Sequence, residues 1–359
     1  MISLYIHIPF CKSKCKYCDF LSFPNTEYIN AYKKALLDEI NAFDCKNNTV
    51  KSIFIGGGTP SIIDSSIISE IMESISRFNI EKNAEITIEA NPGTLTENKV
   101  KEYKKNGINR ISMGLQAWQN NLLKTLGRIH TIESFLKSYE TAKKYFNNIN
   151  IDLMFSLPNQ SIEMWLETLE NVTALKPEHI SAYSLIIEEG TPFYDMDLNL
   201  PDEETDRKMY HSAIKYLSDR GYRQYEISNF AKDGYESVHN SVYWQRGNYK
   251  GFGLGAASLI NNIRYKNTES IADYIVGTTV TEKEILSKED RMAEFMFLGL
   301  RMTNGVSISQ FKKEFNEDIL EKYSSVIEKY SKFIVIDNDR LRLTTEGIDI
   351  SNMIFAEML

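Results

Sequence analysis

Cys11, Cys15 and Cys18 fall within eight residues, in the string Ile8-Pro9-Phe10-Cys11-Lys12-Ser13-Lys14-Cys15-Lys16-Tyr17-Cys18. The spacing C-x3-C-x2-C supplies three thiolates, whereas a closed structural zinc site or a ferredoxin-type cluster is usually completed by four protein ligands. Three thiolates on one loop can hold a [4Fe–4S] cube by three corners and leave one iron open to a small molecule. Such a cluster is chemical rather than merely structural. Two other readings stay open on spacing alone. His7 could complete a three-cysteine zinc site. Metal-free thiols are the third reading, which sits poorly with Lys12, Lys14, Lys16 and Asp19: they put the loop partly in solvent, where close-set thiols oxidise.

Further chemistry-bearing residues follow at intervals. Gly56-Gly57-Gly58-Thr59-Pro60 lets a ligand approach the backbone and permits positive φ. Glu89 stands in Ile88-Glu89-Ala90-Asn91-Pro92-Gly93, and Gln116 closes Arg110-Ile111-Ser112-Met113-Gly114-Leu115-Gln116. Arg128 ends Leu126-Gly127-Arg128, and Asp152 lies in Ile151-Asp152-Leu153-Met154. Downstream come His239-Asn240-Ser241-Val242-Tyr243-Trp244 and Gly251-Phe252-Gly253-Leu254-Gly255-Ala256-Ala257-Ser258. His7, read alone, packs at a strand end or orders the cysteine loop. His130, His179 and His211 have no companion ligands at metal spacing.

The elements that must carry these residues alternate. Strands are expected over Ile2–Ile8, Lys51–Ile55, Ala84–Ala90, Arg110–Gly114, Ile149–Phe155 and His179–Leu185, each followed by a turn signal and a helical pattern. One helix is expected over about 26–43, and another starts near Pro201 after the polar loop 195–206. Strands alternating with helices imply an α/β fold with a parallel sheet and right-handed crossovers. The residues singled out sit mostly where strands end, the face on which parallel barrels bind ligands. From about 285 the pattern changes. Helices are expected around Glu294–Arg301, Ser307–Phe315 and Ile319–Tyr330, then a hairpin of Phe333–Ile336 and Leu341–Leu343, then a capped helix Thr345–Leu359. This reads as a small winged-helix-like α+β domain that covers the barrel mouth or meets a partner. The boundaries expected are 1–230, a connecting segment 231–284, and 285–359.

The cysteine string resembles the signature of the radical S-adenosylmethionine (SAM) enzymes. The strings around it, Tyr5-Ile6-His7-Ile8-Pro9-Phe10-Cys11 above all, are similar to those of the oxygen-independent coproporphyrinogen III oxidase family and its haem-chaperone branch. The resemblance covers residues 1–260 densely and the remainder loosely. It implies a partial (β/α)6 barrel and a [4Fe–4S] cluster on Cys11, Cys15 and Cys18. It also implies SAM on the open iron, cleaved by electron transfer to methionine and a 5′-deoxyadenosyl radical. Tyr5, Tyr17, Gly57, Gly58, Thr59, Glu89, Gln116, Arg128 and Asp152 fall on positions that contact SAM in that family; Ala257 keeps a backbone or apolar contact where the chaperone branch has histidine. Glu89 and Asp152 suit ribose hydroxyls, and Arg128 suits a carboxylate. The H-N-x-x-Y-W string implies haem at His239. Two features favour the chaperone branch: Phe20 stands where the oxidase has a further cysteine, and Tyr5 lies close to Met1. The implied role is haem delivery to acceptor haemoproteins, including membrane-associated ones, with an electron donor for the cluster. The alternative is an enzyme that decarboxylates coproporphyrinogen III.

Composition narrows the rest. The chain has 359 residues and a formal net charge of −8, and it carries no dense basic run, so nucleic acid is a poor partner. Only Cys45 lies outside the motif, so a reduced compartment is expected rather than a disulfide framework. No apolar stretch reaches about 20 residues. A cytoplasmic protein, at most peripheral at the inner membrane face, is the expectation.

Overall fold

The computed structural model describes residues 1–44 and 48–359; Cys45 lies outside the described residues. Six parallel strands follow one another in chain order: β1 (Ile2–Ile8), β2 (Thr49–Gly57), β3 (Asn79–Ala90), β4 (Arg110–Gln116), β5 (Ile149–Phe155) and β6 (His179–Ser184). Helices Ile29–Ala42, Ser65–Ile75, Glu97–Lys105, Ile132–Lys143 and Ile162–Ala174 make the crossovers. Four of these helices start on a side chain that accepts a backbone N–H: Asp64, Thr96, Thr131 and Ser161. The expected α/β alternation is therefore present strand by strand.

Period-two alternation divides each strand between two environments. Ile2, Leu4, Ile6 and Ile8 of β1, Ile111, Met113 and Leu115 of β4, and Ile149, Ile151 and Leu153 of β5 join the apolar core under the helices. The opposite parity is mostly polar: Ser3, Tyr5 and His7; Glu85, Thr87 and Glu89; Arg110 and Ser112; Asn150 and Asp152; His179, Ser181 and Tyr183. A closed barrel fills its interior with branched apolar layers. Here the interior is lined by hydrogen-bonding groups, several of which face a cavity.

The sheet continues beyond the six strands. β8 (Asn229–Ala231) pairs antiparallel with β6, and β7 (Arg223–Glu226) pairs antiparallel with β8 at the edge. On the other side β9 (Tyr249–Phe252) pairs parallel with β1, and β10 (Ala257–Ile260), β11 (Ile263–Asn267) and β12 (Val280–Ile285) follow antiparallel. Residues 231–284, expected as a connection, thus contribute four strands to the main sheet. Among the described residues no helix is long and apolar enough to cross a membrane.

The C-terminal part has its own core, which includes Phe295, Met296, Phe311, Phe315, Ile319, Leu341 and Ile354. It carries a three-stranded sheet of β13 (Val306–Ser307), β14 (Ile334–Asp337) and β15 (Arg340–Leu343). Two expected helices are each broken. Ile319–Lys322 and Ser324–Lys329 are separated at Tyr323, whose ring meets Phe311. Thr345–Asp349 and Ser351–Ala356 are separated at Ile350. Main-chain bonds fasten this part to β7 and its flank: Ile227 N–H to the Arg301 carbonyl and Thr303 N–H to the Tyr225 carbonyl.

Candidate cluster and cofactor site

The cysteine loop leaves β1 and is closed at its base. Cys11 N–H donates to the Phe23 carbonyl at 2.9 Å, and Phe23 N–H donates to the Pro9 carbonyl at 2.7 Å. Its middle is held between two other barrel loops: Lys16 N–H donates to the Leu126 carbonyl, and the Lys16 carbonyl accepts from Phe193 N–H. Cys11 is buried, and Cys15 and Cys18 are half-buried. Burial pushes the Cys18 thiol up to about 11, so loading a metal there releases a proton.

His7 does not complete a zinc site. Its Nδ1 is paired with the Tyr5 hydroxyl at 2.9 Å and its Nε2 with the Leu21 carbonyl at 2.8 Å. The ring is a strut that ties the end of β1 to the far side of the cysteine loop. Among the described residues no three His, Cys, Asp or Glu side chains converge on one ion position. A cube takes each thiolate on a different iron, so three thiols spread along one loop suit it.

Three polar side chains connect two of these sulfurs. Cys11 Sγ lies 3.5 Å from Thr59 Oγ1, which accepts from Asn91 Nδ2 at 2.7 Å. Asn91 Oδ1 accepts from Arg128 Nη2 at 2.8 Å, and Arg128 Nη1 donates to Cys15 Sγ at 3.6 Å. Gly114 makes room for this arrangement: a Cβ there would stand 3.0 Å from Gln116 Nε2 and 3.1 Å from Arg128 Nη2. Gln116 itself sits at φ 74°, turning β4 out of its ladder.

The glycine stretch is equally constrained. Gly58 N–H donates to the Ile8 carbonyl and Thr59 N–H to the Phe10 carbonyl. Gly57 has φ +110°, and a Cβ on it would lie 2.5 Å from the His7 ring. Gly57 N–H donates to Glu89 Oε2 at 3.0 Å. Burial, with Asp152 as a second negative neighbour, pushes the Glu89 carboxyl up to about 8. Asp152 is also raised, chiefly by burial, although Asn150 and Ser112 donate to its two oxygens. The two carboxylates line one cavity of about 300 Å³ with Tyr5, Phe54, Gly57, Arg110 and Tyr183; Phe20, 62% exposed, stands at its edge. Acceptors this dry suit a ligand that donates hydroxyls.

Tyr5 and Tyr17 are placed differently. Tyr5 stacks on Phe54 inside the barrel, while Tyr17 packs with the apolar cluster around Leu122, Leu126 and Phe193. Ala257 stands apart: it is exposed on β10, and it is absent from the residues lining the cavity. Within the sheet one strand, β9, lies between β1 and that position.

The H-N-x-x-Y-W string forms the helix Val238–Trp244 at the lower end of the barrel. Buried Glu85 caps it, accepting from Val238 N–H at 3.1 Å and His239 N–H at 3.0 Å. The His239 ring is 1% exposed and stacks on Phe54. Its Nδ1 pairs with Ser52 Oγ and its Nε2 with the Tyr243 hydroxyl, both at 2.9 Å. Burial lowers its pKa to about 3. The expected haem ligand is thus a neutral floor residue whose two nitrogens are both occupied; in this conformation neither is free for iron.

Sequence reasoning missed Asn91, Arg110, Ser112 and Asn150. The signal was strand parity, because Arg110-x-Ser112-x-Gly114-x-Gln116 alternates with Ile111, Met113 and Leu115 and so sends its polar side chains inward.

A parallel partial barrel with a three-cysteine loop at the carboxyl ends of its strands, beside a glycine stretch and two dry carboxylates, is the architecture of the radical SAM class. Residues 5–172 match the Radical SAM superfamily and residues 286–350 the HemN C-terminal domain. The chain is 37% identical to "Heme chaperone HemW" of Lactococcus lactis over 99% of this chain and 97% of that protein. The corresponding protein of Bacillus subtilis is 36% identical over 100% of this chain and 99% of the relative. That of Escherichia coli is 34% identical over 86% and 85%. The solved coproporphyrinogen III oxidase (HemN) of Escherichia coli superposes with a TM-score of 0.86 at 21% identity, covering 99% of this chain and 89% of that one. This chain therefore belongs to the HemW family of radical SAM proteins. Membership implies a [4Fe–4S] cluster and SAM.

Proposed function

We propose that this protein is a haem chaperone that binds haem and hands it to acceptor haemoproteins. The observation that carries this reading is the end-to-end likeness to proteins named heme chaperone HemW, joined to the cysteine loop and its cradle. Cys11, Cys15 and Cys18 would hold three irons of the cluster, and the fourth would be left to SAM. The bound pair supplies one-electron chemistry and, on cleavage, a carbon radical. The chain's own residues then have separable tasks. Glu89 and Asp152 accept ribose hydroxyls, and Gly57, Gly58 and Thr59 bring the backbone close. Arg128 and Asn91 hold the sulfur side of the loop in register. Phe20, which replaces the oxidase's further cysteine, favours carrier over catalyst.

The test is a haem-transfer assay with anaerobically reconstituted protein. Haem-loaded protein is mixed with an apo-haemoprotein and the Soret band is followed. A parallel reaction with coproporphyrinogen III is assayed for protoporphyrinogen IX. Transfer without turnover is expected; turnover without transfer replaces the carrier with the oxidase.

A further inference from the structure

Arg110 is the largest charged side chain sealed inside the barrel. It is 2% exposed, it lines the cavity, and its Nε has no hydrogen-bond partner. Glu85 is its nearest counter-ion, but the closest approach is 3.9 Å, beyond a hydrogen bond. Glu85 is committed elsewhere: both of its oxygens accept N–H groups from the helix Val238–Trp244. The other acids above it have their own donors. Asp152 accepts from Asn150 and Ser112, and Glu89 accepts from Gly57. Among the described residues, the Arg110 guanidinium thus has no carboxylate oxygen within hydrogen-bond distance, and its Nε is left unpaired. A buried cation left without hydrogen bonds is costly, and planar oxyanions satisfy a guanidinium best. The Tyr183 hydroxyl lines the same cavity and can join the shell of such an anion; Ser112, Asn150 and Ser181 already donate to protein oxygens.

We propose that Arg110 marks a carboxylate subsite on the floor of the barrel, taken by a carboxylate arm of the tetrapyrrole cargo. The inference deepens the chaperone reading and rests on it. Haem carries two propionates on an otherwise apolar ring. The cavity, at about 300 Å³, has room for a carboxylate arm on Arg110 beside the ribose on Glu89 and Asp152, and not for a whole macrocycle. SAM carries the one other carboxylate on offer, and the test separates the two sources.

Haem and haem dimethyl ester are titrated anaerobically into the reconstituted full-length protein, and SAM binding is measured separately through its effect on the cluster's paramagnetic resonance spectrum. Losing one charge-assisted pairing in a dry site lowers affinity by about ten- to a hundred-fold. The diester is therefore expected to bind wild type that much more weakly than the free acid. Arg110→Lys, which keeps the charge and loses the fork, is expected to weaken free-acid haem by about ten-fold while leaving the diester and SAM unchanged. Equal affinity of wild type for acid and diester overturns the subsite while leaving the chaperone reading intact. An Arg110→Lys loss confined to SAM gives the carboxylate to SAM and overturns the assignment to cargo. Failure of both haem forms to bind removes the chaperone reading and this subsite with it. The comparison of acid with ester on wild type needs no variant, so it stands even if Arg110→Lys folds poorly.

Discussion

Arg128 and Cys15 are 113 residues apart in the chain, and the arginine Nη1 lies 3.6 Å from the cysteine sulfur. The same guanidinium reaches Asn91, which reaches Thr59, which touches Cys11. Loops after β1, β2, β3 and β4 thus meet around two of the three sulfurs. Removing Arg128 should leave the cysteines able to assemble a cluster while loosening the cofactor beside it. Arg128→Ala is expected to retain iron and sulfide content and to weaken SAM binding by about ten- to a hundred-fold. Equilibrium binding of SAM to the reconstituted variant checks this; loss of the cluster itself would make the arginine structural.

Glu89 gives a pH prediction. Its carboxyl is raised from 4.5 to about 8, so the folded, ligand-free protein binds a proton there that the unfolded chain has released. Stability from this group is full below the unfolded value and falls as pH rises through that window. Glu89→Gln should flatten the slope and make the ligand-free protein relatively more stable at the alkaline end, while weakening SAM. Denaturant midpoints across the window measure the first effect. A slope identical to wild type would contradict the dry-carboxylate account.

The lower end of the barrel predicts a different kind of variant. His239→Ala removes a ring bonded on both sides and stacked on Phe54. It should cost about 2–4 kcal/mol of unfolding free energy, as expected for a large buried side chain with satisfied polar groups. The haem spectrum and affinity should be unchanged. A collapsed Soret band in a variant of normal stability would restore His239 as an iron ligand.

Gly57 is tested by one methyl group. Gly57→Ala places a Cβ 2.5 Å from the His7 ring at φ +110°. The strain, on the order of 1–3 kcal/mol, falls on the strut that orders the cysteine loop. Thermal unfolding should shift down, and cluster yield on reconstitution should fall with it. Normal yield would show that His7 and the loop move independently.

Much of this was legible in the chain. The six strands, the crossover helices and the cysteine loop follow from period-two and helical patterns with turn signals between them. Glu89 and Asp152 do share one cavity, because residues on the same parity of neighbouring strands face the same side. What escaped the sequence depended on long-range pairing. β9 to β12 are short and a glycine-rich stretch interrupts them after β9, so nothing local shows that β9 lies parallel beside β1. The packing around His239 escaped the sequence too, because its neighbours in space, Ser52, Phe54 and Glu85, lie 150 to 190 residues earlier. The breaks at Tyr323 and Ile350 come from packing in the C-terminal core, which overrides an unbroken helical periodicity.

The central claim is a cluster held at three irons by Cys11, Cys15 and Cys18, with the fourth iron left to SAM. Paramagnetic resonance of the anaerobically reconstituted, reduced protein, recorded with and without SAM, tests it most directly. The account predicts four irons and four sulfides per chain, a [4Fe–4S]+ signal whose g-values shift when SAM is added, and loss of that signal in Cys11→Ala, Cys15→Ala and Cys18→Ala alike. A signal indifferent to SAM, or one that survives removal of any of the three cysteines, would contradict it.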